Sequence, residues 1–277
     1  MAEELKIRKR IFLVGAPRSG TTLLQSMLAG HPEVCSFPET HFFSRILKRK
    51  GYKAYIDWYG YKKRKRIKAF LTRLNEEKLL INLPFLTFSK QKWAKGLISI
   101  LDDMAVNKGY SMWLEKTPIH LHRVGLISVI APDTCFIHII RNGVDVIASL
   151  YEVTNLYPEE WKGAKSIDKC INRWKKDVRI AKEYLGMLNH AHVRYENLVK
   201  SPESVLRNLC DQIEFDYTHE MLEYRQSAEG LIFDEEKWKD SNVSQVRISN
   251  KFQKIFSKDE QQYIRENVAD IDVAVFD

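Results

Sequence analysis

The chain opens on a short apolar run, followed by apolar residues at helical spacing. Residues 11–14, Ile-Phe-Leu-Val, are continuously apolar, as in strands covered on both faces, which predicts a strand at about residues 10–15. Leucine and methionine then recur at helical spacing, which predicts a helix over residues 21–29. Gly30 favours the end of this helix because glycine suits a C-terminal cap, and Pro32 cannot continue it.

The same reasoning assigns alternating strands and helices to most of the remaining chain. Strands are predicted at residues 34–37, 134–140 and 191–195, and helices at residues 144–153, 167–188, 202–213 and 258–267. Strands that alternate with helices are typical of an α/β fold with a mainly parallel sheet. We therefore predict a single domain over residues 1–277. Residues 41–108, which look helical and are rich in aromatic residues and lysine, form a predicted insertion within it.

Composition narrows the class of protein. The 277 residues are 44% hydrophobic and 29% charged, as in ordinary globular proteins. No apolar stretch approaches the roughly 18 residues that a membrane span needs, so a cytoplasmic protein without an anchor is expected. The four cysteines are widely spaced and contain no CxxC pair, which argues against a metal knuckle and a disulfide framework.

The formal net charge of +8 favours contact with an anion, whether a cofactor, an acidic substrate or a nucleic acid. The basic run at residues 62–66 lies in a helix-like stretch, and a solvated helix face is its favoured interpretation. No zinc-finger, helix-turn-helix or RNA-binding aromatic motif accompanies the run, so nucleic acid is not an expected partner. A polyanion-binding module without turnover, using residues 61–68, is one alternative.

Residues 15–22, Gly-Ala-Pro-Arg-Ser-Gly-Thr-Thr, join the first predicted strand to the first predicted helix. A turn of this kind directs free backbone N–H groups and the positive end of a helix dipole toward one point. Gly15 and Gly20 let the backbone approach an anion closely, and Arg18 adds a charged fork of donors. The segment therefore predicts a phosphate or sulfate cradle.

This loop departs from the nucleotide-triphosphate P-loop. The GxxxxGK[ST] pattern requires lysine after the second glycine, where this chain has Thr21. A triphosphate enzyme also needs an acidic magnesium ligand at the end of a neighbouring strand, and the predicted strand at 134–140 is followed by Arg141. We expect protein cations to hold the anion without a metal, and an ATP-dependent small-molecule kinase is the alternative function.

Residues 17–24, Pro-Arg-Ser-Gly-Thr-Thr-Leu-Leu, with His31-Pro32 after them, resemble a sulfotransferase motif. That motif binds the 5′-phosphosulfate of 3′-phosphoadenosine-5′-phosphosulfate (PAPS). Residues 37–40, Phe-Pro-Glu-Thr, are similar to the tyrosylprotein sulfotransferases and related bacterial sulfotransferases. The resemblance assigns cofactor binding to Pro17, Arg18, Ser19, Gly20, Thr21 and Thr22.

Residues 141–149 resemble the 3′-phosphate-binding region of the same superfamily, in which an arginine and a serine grip the 3′-phosphate. Arg141 follows a predicted buried strand, and strand ends are where ligands of open α/β sheets gather. Ser149 lies eight residues further on, about two helical turns away. The resemblance therefore adds Arg141 and Ser149 to the cofactor site.

Three shorter segments extend the resemblance. Residues 114–118, Leu-Glu-Lys-Thr-Pro, are similar to the segment whose lysine approaches the transferring sulfuryl group, here Lys116. Residues 193–198 resemble a family turn that would place Tyr195 near the adenine, and a structural role at the strand end is the alternative. Residues 241–247 resemble a late cofactor-binding loop, which would contribute Ser244 and Arg247.

The resemblance implies a three-layer, P-loop-like fold and transfer of a sulfuryl group from PAPS to an acceptor hydroxyl, leaving 3′,5′-ADP without a required metal. Arg18 and Lys116 would stabilise charge on the leaving phosphate. Glu39 is the candidate base, because the tyrosylprotein branch uses a glutamate there; His41 is its rival, since other branches use a histidine. Residues 41–108 would shape the acceptor pocket. The motifs leave open a peptide tyrosine, phenol, sugar, lipid or small alcohol as acceptor, and the oligomeric state.

Overall fold

The computed structural model of the chain describes residues 5–46, 61–85, 87, 89–224, 231 and 250–277. Within these residues, parallel strands form one sheet: β1 (Lys9–Gly15), β2 (Val34–Phe37), β3 (Met112–Lys116), β4 (Thr134–Ile140) and β5 (His190–Arg194). Their order across the sheet is β2-β3-β1-β4-β5. Because β1 is central, its carboxyl end has another strand end on each side.

Helices connect the strands and cover both faces of the sheet. The α-helices are α1 (Thr21–Ala29), α2 (Tyr61–Arg73), α3 (Lys90–Asn107), α4 (Val124–Ile130), α5 (Gly143–Leu156), α6 (Ile167–Lys182), α7 (Tyr195–Lys200), α8 (Pro202–Gln212), α9 (Lys251–Ile255) and α10 (Lys258–Val268). A π-helical turn spans Phe42–Ile46, and 3₁₀ helices span Glu77–Asn82, Pro118–Arg123, His219–Leu222 and Ala274–Phe276.

Alternate side chains of β1 enter two separate cores. Phe12 and Val14 pack into the core on one face of the sheet, and Ile11 and Leu13 pack into the core on the other face. All four side chains have no exposed surface. Burial on both faces explains the uninterrupted apolar run, and it confirms the predicted α/β fold with a parallel sheet.

The structure corrects several predicted boundaries and adds one strand. The predicted helix over 167–188 is too long: α6 ends at Lys182, and Gly186 lies in the left-handed region at φ 72° within the turns that follow. Strand β5 ends at Arg194, so Tyr195 begins a helix. Strand β3 was not predicted, because the charged pair Glu115-Lys116 interrupts its apolar pattern although every residue of the strand is buried.

Glycine is required at position 30, the C-cap of α1, for a different reason from the one that the sequence suggested. Its φ is −69°, so it does not use the left-handed conformation that makes glycine a frequent helix cap. A Cβ atom at Gly30 would instead lie 2.6 Å from the carbonyl oxygen of Glu220. Close packing of α1 against the 3₁₀ helix at His219–Leu222 therefore requires glycine here.

The basic run at residues 62–66 lies on α2, as the helical spacing predicted. Lys65 and Arg66 are exposed, while Arg64 donates from Nη1 to the carbonyl oxygen of Leu83 at 2.7 Å. All four cysteines are buried and free of disulfides. Across the described ranges, no helix combines the length and the apolar character that crossing a membrane would need.

Three histidines stack where β4 and β5 lie side by side. His138 Nε2 is 2.9 Å from His190 Nδ1, and the His138 and His192 rings are 4.7 Å apart and nearly parallel. Burial, and then the proximity of the other histidines, lowers the pKa of His138 well below its usual value and that of His190 to about 4. Burial also lowers the pKa of His192. The stack is therefore neutral in the folded protein at neutral pH.

We expect this stack to make stability fall as the pH is lowered from about 6.5 toward 5. In that window the unfolded chain binds protons that the folded His138 and His190 do not bind, so acid favours unfolding. Well above pH 6.5 these histidines are neutral in both states and no longer make stability depend on pH. Urea unfolding across this range measures the effect. His138→Phe should reduce the loss, because a ring remains without a titrating nitrogen. The control His219→Gln, at an exposed site, should not change it. A protein equally stable at both ends of the window would contradict this expectation.

Candidate functional site

The carboxyl ends of the strands lie along one edge of the sheet. Strand β1 leads into the loop at residues 16–20, and β2 leads into Glu39. Strand β3 ends at Lys116. Strand β4 leads into Arg141, and β5 leads into Tyr195. Motifs that are far apart in the sequence thus meet at one edge, which is where open α/β sheets bind their ligands.

The loop between β1 and α1 closes as a tight turn. The backbone N–H of Ser19 donates to the carbonyl oxygen of Ala16 at 3.2 Å. Arg18 and Gly20 both have left-handed backbones, with φ values of 75° and 93°. Left-handed residues in such turns create concave nests of N–H groups that bind anions, and a helix N-terminus adds its dipole. Gly20, at the N-cap, carries no side chain that could cover the first turn of α1.

Tyr195 and Arg141 pack against this loop. The guanidinium carbon of Arg141 lies 4.3 Å from the centroid of the Tyr195 ring, a cation–π arrangement. A Cβ atom at Gly20 would lie 2.2 Å from Cδ2 of the same ring. Trp174 supports the arginine from α6 by donating from Nε1 to its carbonyl oxygen at 3.1 Å. The geometry therefore gives Tyr195 a packing role between the loop that follows β1 and Arg141, which follows β4.

Replacing Gly20 with alanine is expected to destabilise the fold and to abolish binding of 3′,5′-ADP. The left-handed backbone alone costs an L-residue on the order of 1–3 kcal/mol, and the added methyl group would collide with Tyr195. Thermal unfolding and ligand titration measure the two effects. Gly163→Ala is a matched control, because Gly163 has φ 97° and nothing within 4 Å of its added Cβ. Equal effects of the two substitutions would show that the Tyr195 contact does not matter.

Two arginines meet at the loop. Arg141 donates from Nη1 to the carbonyl oxygen of Arg18 at 3.5 Å, and Arg18 donates from Nε to Ser149 Oγ at 3.0 Å. Burial and then the nearby charge of Arg141 lower the pKa of Arg18 to about 10, against the partial offset from Glu152 and Glu39. An anion bound beside these two partly buried like charges would relieve this repulsion.

Buried polar atoms at the loop indicate an anionic ligand. Within the described ranges, the Ser19 hydroxyl oxygen and the Arg141 Nε are buried without a hydrogen-bond partner. The nearest carboxylate oxygen of Asp145 is 3.8 Å from Arg141 Nη2, and burial raises the pKa of that carboxyl. Buried polar groups in folded proteins nearly always have partners. These orphaned atoms and the arginine pair fit a phosphate or sulfate group.

A second cluster lies beside the anion cradle. Lys116 donates from Nζ to Oε1 of Glu39 at 2.6 Å, and the Nε2 of His41 is 3.4 Å from Oε2 of the same carboxylate. The lysine side chain is 2% exposed and the glutamate side chain 12% exposed. The charge of Glu39 also acts on Arg18, so this cluster adjoins the cradle. The structure thus brings together both candidate bases and the lysine.

The remaining predicted site residues have mixed outcomes. Ser19 and Thr21 are buried, and Pro17 and Thr22 are partly exposed. Ser149 contacts the Arg18 side chain, although it follows Arg141 by two helical turns. Ser244 and Arg247 lie outside the described residues.

The sequence reasoning missed Glu115, which precedes Lys116 on β3. Its side chain has no exposed surface, and its carboxylate accepts hydrogen bonds from Thr40, Thr117 and His120. The available signal was an acid within a strand-length run, Met-Trp-Leu-Glu-Lys, whose other residues are buried. Wholly buried acids are rare unless they are paired or functional.

The α/β fold and the anion cradle define a class of proteins that bind phosphate or sulfate groups at the carboxyl edge of a parallel sheet. The chain belongs to the sulfotransferase family, because the model of that family matches residues 10–219, which is most of its length. Recognition of this family from the motifs is therefore confirmed.

Known sulfotransferases are similar to this chain in sequence and in fold. Protein-tyrosine sulfotransferase A of Caenorhabditis elegans is 24% identical over 225 residues, covering 78% of this chain and 52% of that protein. The sulfotransferase domain from the curacin biosynthetic pathway matches with a TM-score of 0.61, at 21% identity, over 95% of this chain and 98% of that chain. A mouse sulfotransferase complexed with PAP matches with a TM-score of 0.55, at 14% identity, over 97% and 89%. The chain spans about half the length of the first protein-tyrosine sulfotransferases that it matches.

Proposed function

We propose that this chain transfers a sulfuryl group from PAPS to an acceptor hydroxyl. The observation that carries the proposal is the adjacency of two clusters at one sheet edge. The first is an anion cradle that contains Arg18 and Arg141, and the second is a carboxylate, Glu39, paired with Lys116. Membership of the sulfotransferase family supports the same reaction. PAP, which is 3′,5′-ADP, occupies the related mouse protein.

The cradle would hold the nucleotide through its phosphates. The loop N–H groups, Ser19 and Arg18 would bind the 5′-phosphosulfate end, and Arg141 with Ser149 would bind the 3′-phosphate. Tyr195, already stacked on Arg141, would border the adenine. When bound, PAPS supplies the activated sulfuryl group and a nucleotide leaving group. Arg18 would stabilise the charge that develops on the leaving phosphate.

Glu39 would accept the acceptor's hydroxyl proton at a carboxylate oxygen. A base must be ionised before it acts, and the ion pair with Lys116 favours the charged carboxylate. Oε1 accepts from Nζ of Lys116 at 2.6 Å, and Oε2 lies 3.4 Å from Nε2 of His41. His41, next to this oxygen, would orient the carboxylate or pass the proton to solvent.

An ATP-dependent kinase receives less support. The position for the P-loop lysine holds Thr21. An acid, Glu115, does lie near the end of β3. Its carboxylate, however, accepts its described hydrogen bonds from Thr40, Thr117 and His120. A carboxylate that is wholly buried and already hydrogen-bonded is poorly placed to bind magnesium.

The proposal is tested by transfer of ³⁵S from labelled PAPS to four acceptors: tyramine, an acidic tyrosine peptide, a hexose and a primary aliphatic alcohol. We expect labelled product and stoichiometric 3′,5′-ADP with at least one of them. The label should not move when Arg18 is replaced by alanine. Transfer of ³²P from γ-labelled ATP to the same acceptors, with none from PAPS, would contradict the proposal.

A further inference from the structure

Glu115 is a buried carboxylate at the centre of a hydrogen-bond network behind the Glu39–Lys116 pair. Its side chain is wholly inaccessible, and its carboxylate accepts hydrogen bonds from His120 and from two threonine hydroxyls. It directly precedes Lys116 on β3, so their side chains point to opposite faces of the sheet. The catalytic scheme above does not use it.

The carboxylate oxygen Oε1 bonds to the two segments that carry the candidate catalytic groups. It accepts from the hydroxyl of Thr40 at 2.8 Å and from the backbone N–H of Thr40 at 3.3 Å. It also accepts from the hydroxyl of Thr117 at 2.6 Å. Thr40 follows Glu39, and Thr117 follows Lys116. One buried oxygen thus links the residues that adjoin the carboxylate and the lysine.

The other oxygen, Oε2, lies 2.9 Å from Nδ1 of His120. On its far side, Nε2 of this histidine accepts the backbone N–H of Phe43 at 3.2 Å. Nε2 must therefore carry the lone pair and Nδ1 the proton, so the ring is neutral and donates to Glu115. The carboxylate fixes the histidine tautomer, and the tautomer in turn holds Phe43.

Four consecutive backbone N–H groups depend on this network. The amide of residue 40 donates to Glu115 and that of residue 41 to the Thr117 hydroxyl at 3.3 Å. The amide of residue 42 donates to the Thr40 hydroxyl at 3.2 Å, and that of residue 43 donates to His120. Most buried backbone N–H groups donate to backbone carbonyl oxygens within strands or helices. Here side chains accept all four N–H groups. His41, within the segment, is left-handed at φ 53°, a conformation that needs such support.

We propose that Glu115 is a positioning residue that fixes the Glu39 segment against Lys116, and so sets the geometry of the base. The inference rests on the proposed sulfuryl transfer. Glu115 itself faces away from Lys116, and its described bonds are to Thr40, Thr117 and His120. Its contribution to the rate comes through the backbone of residues 40–43 and through Thr117.

The first test measures the network without using activity. Hydrogen–deuterium exchange should show slow amides at residues 40–43 in the wild-type protein. In Glu115→Gln the amide nitrogen must face either Nδ1 of His120 or the threonine hydroxyls, which are donors, so protection of these four amides should fall. Asp102→Asn is the matched control: Asp102 accepts from Arg10 and Trp113, at the amino ends of β1 and β3. It should leave residues 40–43 protected. Unprotected wild-type amides, or unchanged protection in Glu115→Gln, would overturn the proposal.

The second test is kinetic. With PAPS and whichever of the four acceptors the wild-type protein labels, Glu115→Gln should lower kcat on the order of 100-fold, the cost of misplacing a reacting group by about 1 Å. The KM for PAPS and the affinity for 3′,5′-ADP should stay near wild type, because the cradle is untouched. Asp102→Asn should keep kcat while losing stability. A general loss of folding would instead lower the active fraction and leave the kcat of the folded molecules unchanged.

A pair of substitutions at Thr40 covers the case in which Glu115→Gln folds poorly. Thr40→Val keeps the shape and removes the hydroxyl, whereas Thr40→Ser keeps the hydroxyl and removes a methyl group. We expect serine to retain most of the kcat and valine to lose it. The opposite order would show that Thr40 only fills space and would contradict the positioning role. Wild-type protein that has protected amides but neither binds 3′,5′-ADP nor uses PAPS would reject the proposed function and leave the network standing.

Discussion

Glu39→Gln is expected to reduce kcat by on the order of 10²–10⁴, the usual contribution of a general base. Glutamine keeps an oxygen that can accept from Lys116, so the buried lysine retains a partner while the group that takes the proton is lost. The affinity for 3′,5′-ADP should change little, because the loop and Arg141 hold that ligand. Steady-state transfer from labelled PAPS, with calorimetric titration of 3′,5′-ADP, measures both quantities.

The control for this substitution is Glu33→Gln, a carboxylate just before β2 that pairs with Arg8 on the surface. It removes a negative charge near the same strand and should leave kcat unchanged. Near-normal turnover of Glu39→Gln would remove Glu39 as the base. His41→Asn then becomes the informative variant, because a large loss there alone would transfer the role to His41.

Arg141→Ala is expected to weaken 3′,5′-ADP binding by roughly 10- to 100-fold, since a hydrogen bond to a charged group contributes about 1.5–3 kcal/mol. The comparison with 5′-AMP makes the test specific. If Arg141 grips the 3′-phosphate, the variant should bind both nucleotides with similar affinity, whereas the wild-type protein prefers 3′,5′-ADP. Isothermal titration with the two ligands measures this difference.

Arg207→Ala is the matched control, because Arg207 lies 4.0 Å from the ring centroid of Tyr217, much as Arg141 lies over Tyr195. It removes an equivalent arginine–tyrosine stack at a surface site and should leave both affinities unchanged. An equal loss of 3′,5′-ADP and 5′-AMP binding in Arg141→Ala would mean that the arginine shapes the loop and does not recognise the 3′-phosphate.

The sequence predicted the parts of the fold whose pattern is local. The continuous apolar runs at β1 and β4 and the end of α1 before Pro32 could be predicted, because burial on both faces and the effect of proline on a helix depend on neighbouring residues. The parallel sheet and the position of the cradle followed from these elements. The family could be recognised because its loop motif occupies consecutive residues, 17–24.

What the sequence did not predict depends on contacts between distant segments. Strand β3 was hidden because its charged residues find partners 75 to 77 positions away, in Thr40 and Glu39. The need for glycine at position 30 depends on the carbonyl oxygen of Glu220, which is 190 positions away along the chain. Contact between Ser149 and Arg18 likewise appears only once α5 packs beside the loop. A single sequence carries no direct record of such pairs.

The central claim is tested most directly by the melting temperature with 3′,5′-ADP, compared with ATP plus magnesium. A ligand at about 100 times its Kd stabilises the protein by roughly 2.7 kcal/mol, which gives a clear rise in melting temperature. We predict such a rise with 3′,5′-ADP alone, and its loss in Arg18→Ala. A rise with ATP and magnesium but not with 3′,5′-ADP would contradict the sulfotransferase account and favour a kinase.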